Sequence, residues 1–146
     1  MEATIVREFG VSREEVYAAW TRAGRFARWF GPRIFATPVE RVSLDVRPGG
    51  AWEATMVGDE GYEVTFGGVY REVEAPGRLV LTMGAPGGPV SVVTVLLEER
   101  DGVTTMRFRQ DGDGAEQARA GWSEFFERLA EHLAVQRTSS KERPRP

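Results

Sequence analysis

Ala118, Trp122, Phe125, Phe126, Leu129 and Leu133 recur at α-helical spacing near the end of the chain, and their bulk dictates what the rest must supply. On a helix over about residues 115–136 they form one broad stripe, with Arg119, Glu124, Glu127, Arg128 and Glu131 opposite. Burying each large side chain is worth roughly 1.5–3 kcal/mol, so the stripe demands a cover. The stretch before it, from about residue 39 to residue 110, reads as strands, and the cover it offers is a sheet.

Residues 3–9 alternate as a first strand, with Ile5 and Phe9 on one face and Thr4, Val6 and Glu8 on the other. Ser12 stands three residues before Glu15, a capping box that opens a short helix clustering Val16, Ala19 and Trp20. A second short helix is predicted over residues 22–30, ended by Gly31-Pro32, with Phe26, Trp29 and Phe30 inward and Arg25 and Arg28 facing water. Hairpin follows hairpin from there. Arg47-Pro48-Gly49-Gly50 turns into a strand whose Trp52, Ala54 and Met56 share a face. Gly58-Asp59-Glu60-Gly61 leads into a long strand, residues 62–74, where the pair Gly67-Gly68 predicts a bulge or sharp bend. Pro76-Gly77, the loop 85–89 and the two-residue turn Asp101-Gly102 separate the last four strands. Asp113 reads as the cap of the final helix.

Strand, two short helices, antiparallel sheet and a long C-terminal helix make an α+β chain of helix-grip type, with the sheet wrapped around the last helix. At 146 residues, 41% hydrophobic and 28% charged, one folded domain is expected over residues 1–136. Residues 137–146 read as a disordered basic tail. A formal net charge of −3 argues against nucleic acid as a partner. The chain has no cysteine, which excludes disulfides, thiol catalysis and thiolate metal sites. It shows no signal-peptide pattern and no apolar run near the ~20 residues of a membrane span, so a cytoplasmic protein without membrane insertion is expected.

Several segments resemble the SRPBCC (START-like) superfamily, and within it the branch named after the activator of the heat-shock protein 90 ATPase. Phe9 with Ser12-Arg13-Glu14-Glu15-Val16-Tyr17-Ala18-Ala19-Trp20-Thr21 is similar to the superfamily opening. Phe26-Ala27-Arg28-Trp29-Phe30-Gly31-Pro32, Arg47-Pro48-Gly49-Gly50-Ala51-Trp52, Gly68-Val69-Tyr70-Arg71-Glu72-Val73, Pro76-Gly77-Arg78-Leu79-Val80 and Gly121-Trp122 resemble segments of that branch. The resemblance implies the helix-grip (START/Bet v 1-like) fold and a cavity for a small apolar ligand. The eukaryotic chaperone activators carry an additional N-terminal domain for which 146 residues leave no room, so a chaperone partner is not expected.

With that resemblance, Trp29, Phe30, Trp52, Met56, Phe66, Tyr70, Met83, Met106, Phe108, Trp122 and Phe126 become the candidate ligand-binding residues, beside Phe125. Aromatic and methionine walls suit irregular apolar ligands, and the same residues would equally fill a core. The loops at 59–61 and 85–89 are candidate lids. Under strict alternation Glu72 shares a face with Tyr70; turned inward it would be a buried carboxylate, with Arg107 and Arg109 as partners and a raised pKa suited to proton transfer. Turned outward it would be a solvated residue in a weak cross-strand pair. It is the single, weak catalytic candidate. His132, the only histidine, falls at the edge of the helical stripe, where the dipole tolerates positive charge; without cysteines or paired carboxylates it makes no zinc site. No nucleophile motif and no phosphate-binding glycine fingerprint occurs, and no cofactor or metal is indicated.

The leading expectation is a non-enzymatic carrier, sensor or stress- and toxin-resistance protein holding a small hydrophobic molecule between sheet and helix. A chaperone-ATPase-activator-like interaction module and a cyclase or hydrolase built on Glu72 are the alternatives. A homodimer is compatible with all three.

Overall fold

A computed structural model of the chain describes residues 2–112 and 114–142. Strand β1 (Glu2–Phe9) is followed by helices α1 (Arg13–Thr21) and α2 (Ala23–Phe26). Six further strands run in sequence: β2 (Val42–Leu44), β3 (Ala51–Val57), β4 (Glu63–Glu74), β5 (Arg78–Met83), β6 (Ser91–Arg100) and β7 (Val103–Asp111). Helix α3 (Ala115–Glu142) closes the chain. The strands form one seven-stranded antiparallel sheet in the order β1-β7-β6-β5-β4-β3-β2, so the first strand pairs with the last. The α+β helix-grip expectation holds. No helix among the described residues is long and apolar enough to cross a membrane.

Local chemistry explains the elements. Ser12 caps α1 by accepting the Glu15 N–H at 3.3 Å, and Val16, Ala19 and Trp20 are buried beneath it. Asp101 and Gly102 both take positive φ, 52° and 78°, the geometry a two-residue hairpin between β6 and β7 requires. Alternation sorts each strand: Met106, Phe108 and Gln110 of β7 point inward, whereas Arg107 and Arg109 are exposed. Ser91, Val93, Val95 and Leu97 of β6 do the same.

Four expectations need adjusting. Helix α2 is a single turn, and the chain from Ala27 to Phe30 continues as turns, which lets Phe26, Trp29 and Phe30 all reach the interior. The strand expected from residue 39 begins only at Val42, after a 3-10 turn at Val39–Arg41. The bulge lies between Tyr70 and Glu72, not at Gly67-Gly68, whose pairing with Glu53 and Trp52 is unbroken. Those glycines serve close approach: a Cβ on Gly68 would sit 2.0 Å from the Thr82 carbonyl oxygen. β4 lies between β3, with which it pairs up to Val69, and β5, whose register runs from Tyr70, while Gly67 is also bridged to Gly84 just past β5. Finally, α3 runs on to Glu142, through part of the stretch read as a tail, because no proline interrupts it before Pro144. Asp113, the expected cap, lies outside the described residues, as do residues 143–146.

The α3 stripe is buried as expected at Trp122, Phe125, Phe126, Leu129 and Leu133. It meets Trp20 of α1, Phe108 of β7 and the aromatic run after α2 in one continuous ring cluster; Trp122 and Phe108 lie 4.7 Å apart, Phe126 and Phe108 5.0 Å, and Trp20 and Trp29 4.9 Å. Such pairs add roughly 0.5–1.5 kcal/mol each beyond their buried area. Three indoles also donate inside this core: Trp29 to the Ala19 oxygen at 2.9 Å, Trp52 to the Thr82 oxygen at 2.8 Å and Trp122 to Gln110 at 2.7 Å.

Candidate functional site

The ring cluster fills most of the space between sheet and helix, but not all of it. At the N-terminal end of α3 the ends of β5, β6 and β7 spread beneath small side chains. Ala118 and Gly121 lie on one face of α3, Gly114 stands in the turn before it, and a Cβ on Gly121 would meet nothing within 4 Å. Opposite them the sheet presents Phe66, Met83, Ser91 and Gln110. A cavity of about 380 Å³ results, with Trp122 and Phe125 as its inner wall and Ala85 and Pro89 of the β5–β6 loop at its exposed mouth. That volume falls at the small end of small-molecule sites, roughly 300–1,000 Å³.

A polar relay crosses this apolar lining. Trp122 donates its indole N–H to Oε1 of Gln110 at 2.7 Å, and Gln110 Nε2 donates to Oγ of Ser91, also at 2.7 Å. The Ser91 hydroxyl reaches the Met83 carbonyl oxygen at 3.4 Å. Ser91 and Gln110 are each only 5% exposed. Among the described residues, none that lines the cavity carries a charge.

Of the residues expected to bind ligand, Phe66, Met83 and Trp122 line the cavity, together with Phe125. Trp29, Phe30, Trp52, Met56, Tyr70, Met106, Phe108 and Phe126 are packed core and do not reach it. Burial pushes the Tyr70 phenol up, the nearby Tyr17 and Asp45 adding to the effect. Of the two candidate lids, the 85–89 loop borders the cavity and the Asp59–Gly61 turn does not. Ser91, Gln110 and the small α3 face were not anticipated. Each has a signal in the sequence: Gln110 stands in the inward register of Met106 and Phe108, Ser91 in that of Val93 and Val95, and Gly114, Ala118 and Gly121 at helical spacing.

Glu72 is elsewhere. The bulge after Tyr70 turns it outward, half-exposed at 48%, where Arg78 donates to both of its oxygens at 3.2 Å. Arg107 pairs with Glu98 on the outer sheet face, and Arg109 with Glu2 and Asp111, so neither meets Glu72. The constellation required for proton transfer is therefore not assembled.

His132 is half-buried on α3, and Arg25, expected in water, is drawn in beside it with a side chain 17% exposed. Arg25 Nε donates to His132 Nε2 at 3.2 Å and its guanidinium pairs with Glu15 at 3.0 Å. Burial, then Arg25 and Arg28, hold His132 below the usual imidazole range, which replaces the expected tolerance of positive charge there. Among the described residues no group of histidines and carboxylates could hold a metal ion.

A family model described as activator of Hsp90 ATPase homolog 1-like protein matches residues 10–134. Among solved structures, an AHSA1 protein from Silicibacter pomeroyi superposes with a TM-score of 0.83 at 24% identity, covering 93% of this chain and 99% of its own. An AHSA1-like protein from Aeromonas hydrophila gives 0.82 at 23% identity, covering 100% and 99%. A protein from Chromobacterium violaceum gives 0.82 at 24% identity, covering 90% and 96%. Likeness at these identities speaks for the fold. Among curated proteins no sequence matches.

Proposed function

The chain belongs to the activator of Hsp90 ATPase homolog 1-like family of the SRPBCC superfamily, and from that footing we propose that it binds a small hydrophobic molecule between α3 and the sheet, as a carrier or sensor. The observation that carries this reading is the cavity of about 380 Å³ walled by Phe66, Met83, Trp122 and Phe125. A packed core tolerates few voids larger than a water molecule, and this one is kept open by glycine and alanine on a helix that is otherwise bulky on its inner side. Its mouth lies on a loop rich in glycine and proline, residues 85–89, which gives a ligand a way in.

The test is a thermal-shift screen with lipids, aromatic polyketides and flavonoids, followed by native mass spectrometry. A ligand that binds only the folded chain raises its melting midpoint with concentration. No shift across the panel, and no co-purifying molecule, would end the reading.

A protein-interaction role has one observation in its favour. Ile34 and Tyr62 are 79% and 66% exposed, and Tyr62 lies 6.2 Å from the ring of Phe35, an apolar edge away from the cavity. An ATPase assay with and without this protein, using the unaltered chain and Tyr62→Ser, distinguishes that role from ligand binding.

A further inference from the structure

We propose that the cavity selects an uncharged ligand bearing a hydrogen-bond acceptor, such as a ketone or quinone carbonyl on an apolar frame, and that Gln110 and Ser91 read that acceptor. The inference rests on the ligand-binding reading and narrows its chemistry.

The direction of the relay is set by its first member. An indole N–H can only donate, so the end of Gln110 that faces Trp122 at 2.7 Å is its oxygen. The amide nitrogen then points to Ser91 Oγ, again at 2.7 Å. A primary amide carries two N–H donors, and among the described residues only one is engaged. The Ser91 hydroxyl hydrogen is loosely held, since 3.4 Å to the Met83 oxygen is long for an O–H···O bond, usually 2.5–3.0 Å. To an acceptor the relay still offers donor capacity from two groups on one wall, beside the second lone pairs of Gln110 Oε1 and Ser91 Oγ, and both residues are 5% exposed.

A carbonyl oxygen on the ligand would take those donors. A pure hydrocarbon would cover them without pairing them, which costs binding energy. A carboxylate would find donors but no counter-charge, because no described lining residue is charged. The relay thus ranks three ligands of the same apolar frame: ketone first, hydrocarbon second, acid last.

Isothermal calorimetry on the full chain with tetralin, α-tetralone and the tetralin carboxylate tests this ranking at neutral pH. The ketone should bind about tenfold more tightly than the hydrocarbon, the size of one well-made buried hydrogen bond. Ser91→Ala and Gln110→Leu should each shrink that preference, with tetralin bound no more weakly than by the unaltered chain, since each variant removes a donor that tetralin leaves unpaired. Gln110→Leu strands the Trp122 N–H and can weaken the fold, so Ser91→Ala, which leaves the Trp122 bond intact, stands as the independent variant. Equal affinity for tetralin and α-tetralone, a carboxylate that binds best, or a ketone preference untouched by Ser91→Ala and Gln110→Leu would overturn the proposal while leaving apolar binding in place. Binding of none of the three probes would overturn this proposal, while the ligand-binding reading stands or falls separately on the thermal-shift panel.

Discussion

Arg128 Nη1 donates to the main-chain oxygen of Gly31 at 2.7 Å, tying the middle of α3 to the turn that closes the aromatic run after α2. The same guanidinium reaches the Arg28 oxygen at 3.1 Å and the Pro32 oxygen at 3.4 Å. A side chain on the polar side of the helix thereby satisfies carbonyls that the short, irregular α2 leaves without helical partners. Burial, aided by Arg33, lowers its pKa.

Arg128→Met keeps the aliphatic stem and removes the donors. It should cost about 1–3 kcal/mol by urea unfolding, whereas Arg119→Met, at an exposed position of the same helix, should cost less than about 0.5 kcal/mol. Equal effects would show that the carbonyl contacts contribute nothing.

Gly121 separates stability from binding. It lies inside α3, where alanine is favoured over glycine by about 1 kcal/mol, and a Cβ there meets open space. Gly121→Ala should raise the melting midpoint. Gly121→Leu should fill the cavity and abolish ligand binding in calorimetry without loss of stability.

Gly68 and Gly24 should respond oppositely to alanine. At Gly68 the new Cβ would lie 2.0 Å from the Thr82 oxygen, part of the backbone that also accepts the Trp52 indole, so Gly68→Ala should destabilise by about 1–3 kcal/mol or more. Gly24 lies in α2 with nothing within 4 Å, and Gly24→Ala should be neutral or stabilising. Chemical denaturation of both variants makes the comparison.

His132 should give the fold a pH dependence of defined sign. Its pKa is lowered from 6.5 by burial and then by Arg25 and Arg28, with Glu15 opposing. The unfolded chain therefore binds the proton more readily, so stability rises with pH through the window below about 6.5 and is lost as pH falls through it. Protonation also removes the acceptor that Arg25 uses at 3.2 Å. His132→Gln should flatten the dependence of unfolding free energy on pH below about 6.5. An unchanged slope would place its origin elsewhere.

Glu72→Gln should leave ligand affinity unaltered and shift stability by less than about 1 kcal/mol, as for any exposed pair. A larger effect on binding would contradict the outward placement.

The architecture was legible because its signals are periodic. The α3 stripe, the alternation of β7 and the Asp101-Gly102 turn each follow from residue spacing, and all three stand where spacing put them. The cavity was harder to read, since a large aromatic residue carries the same signal whether it lines a hollow or plugs it. Trp29 and Trp122 look alike in sequence; only packing shows the first inside the core and the second at a wall. Voids are made by side chains that are missing, and the informative residues were the small ones, Gly114, Ala118 and Gly121. Glu72 turned outward because one extra residue at the bulge reverses the alternation on which an inward position depended.

The crowding of the indoles gives the molecule an optical property of its own. Trp20 lies 4.9 Å from Trp29 and 6.0 Å from Trp122, so excitation absorbed at any of the three can migrate among them before it is emitted. A guest lodged against Trp122 therefore perturbs the emission of a shared chromophore rather than of a single ring, and the unlabelled protein can report its own occupancy.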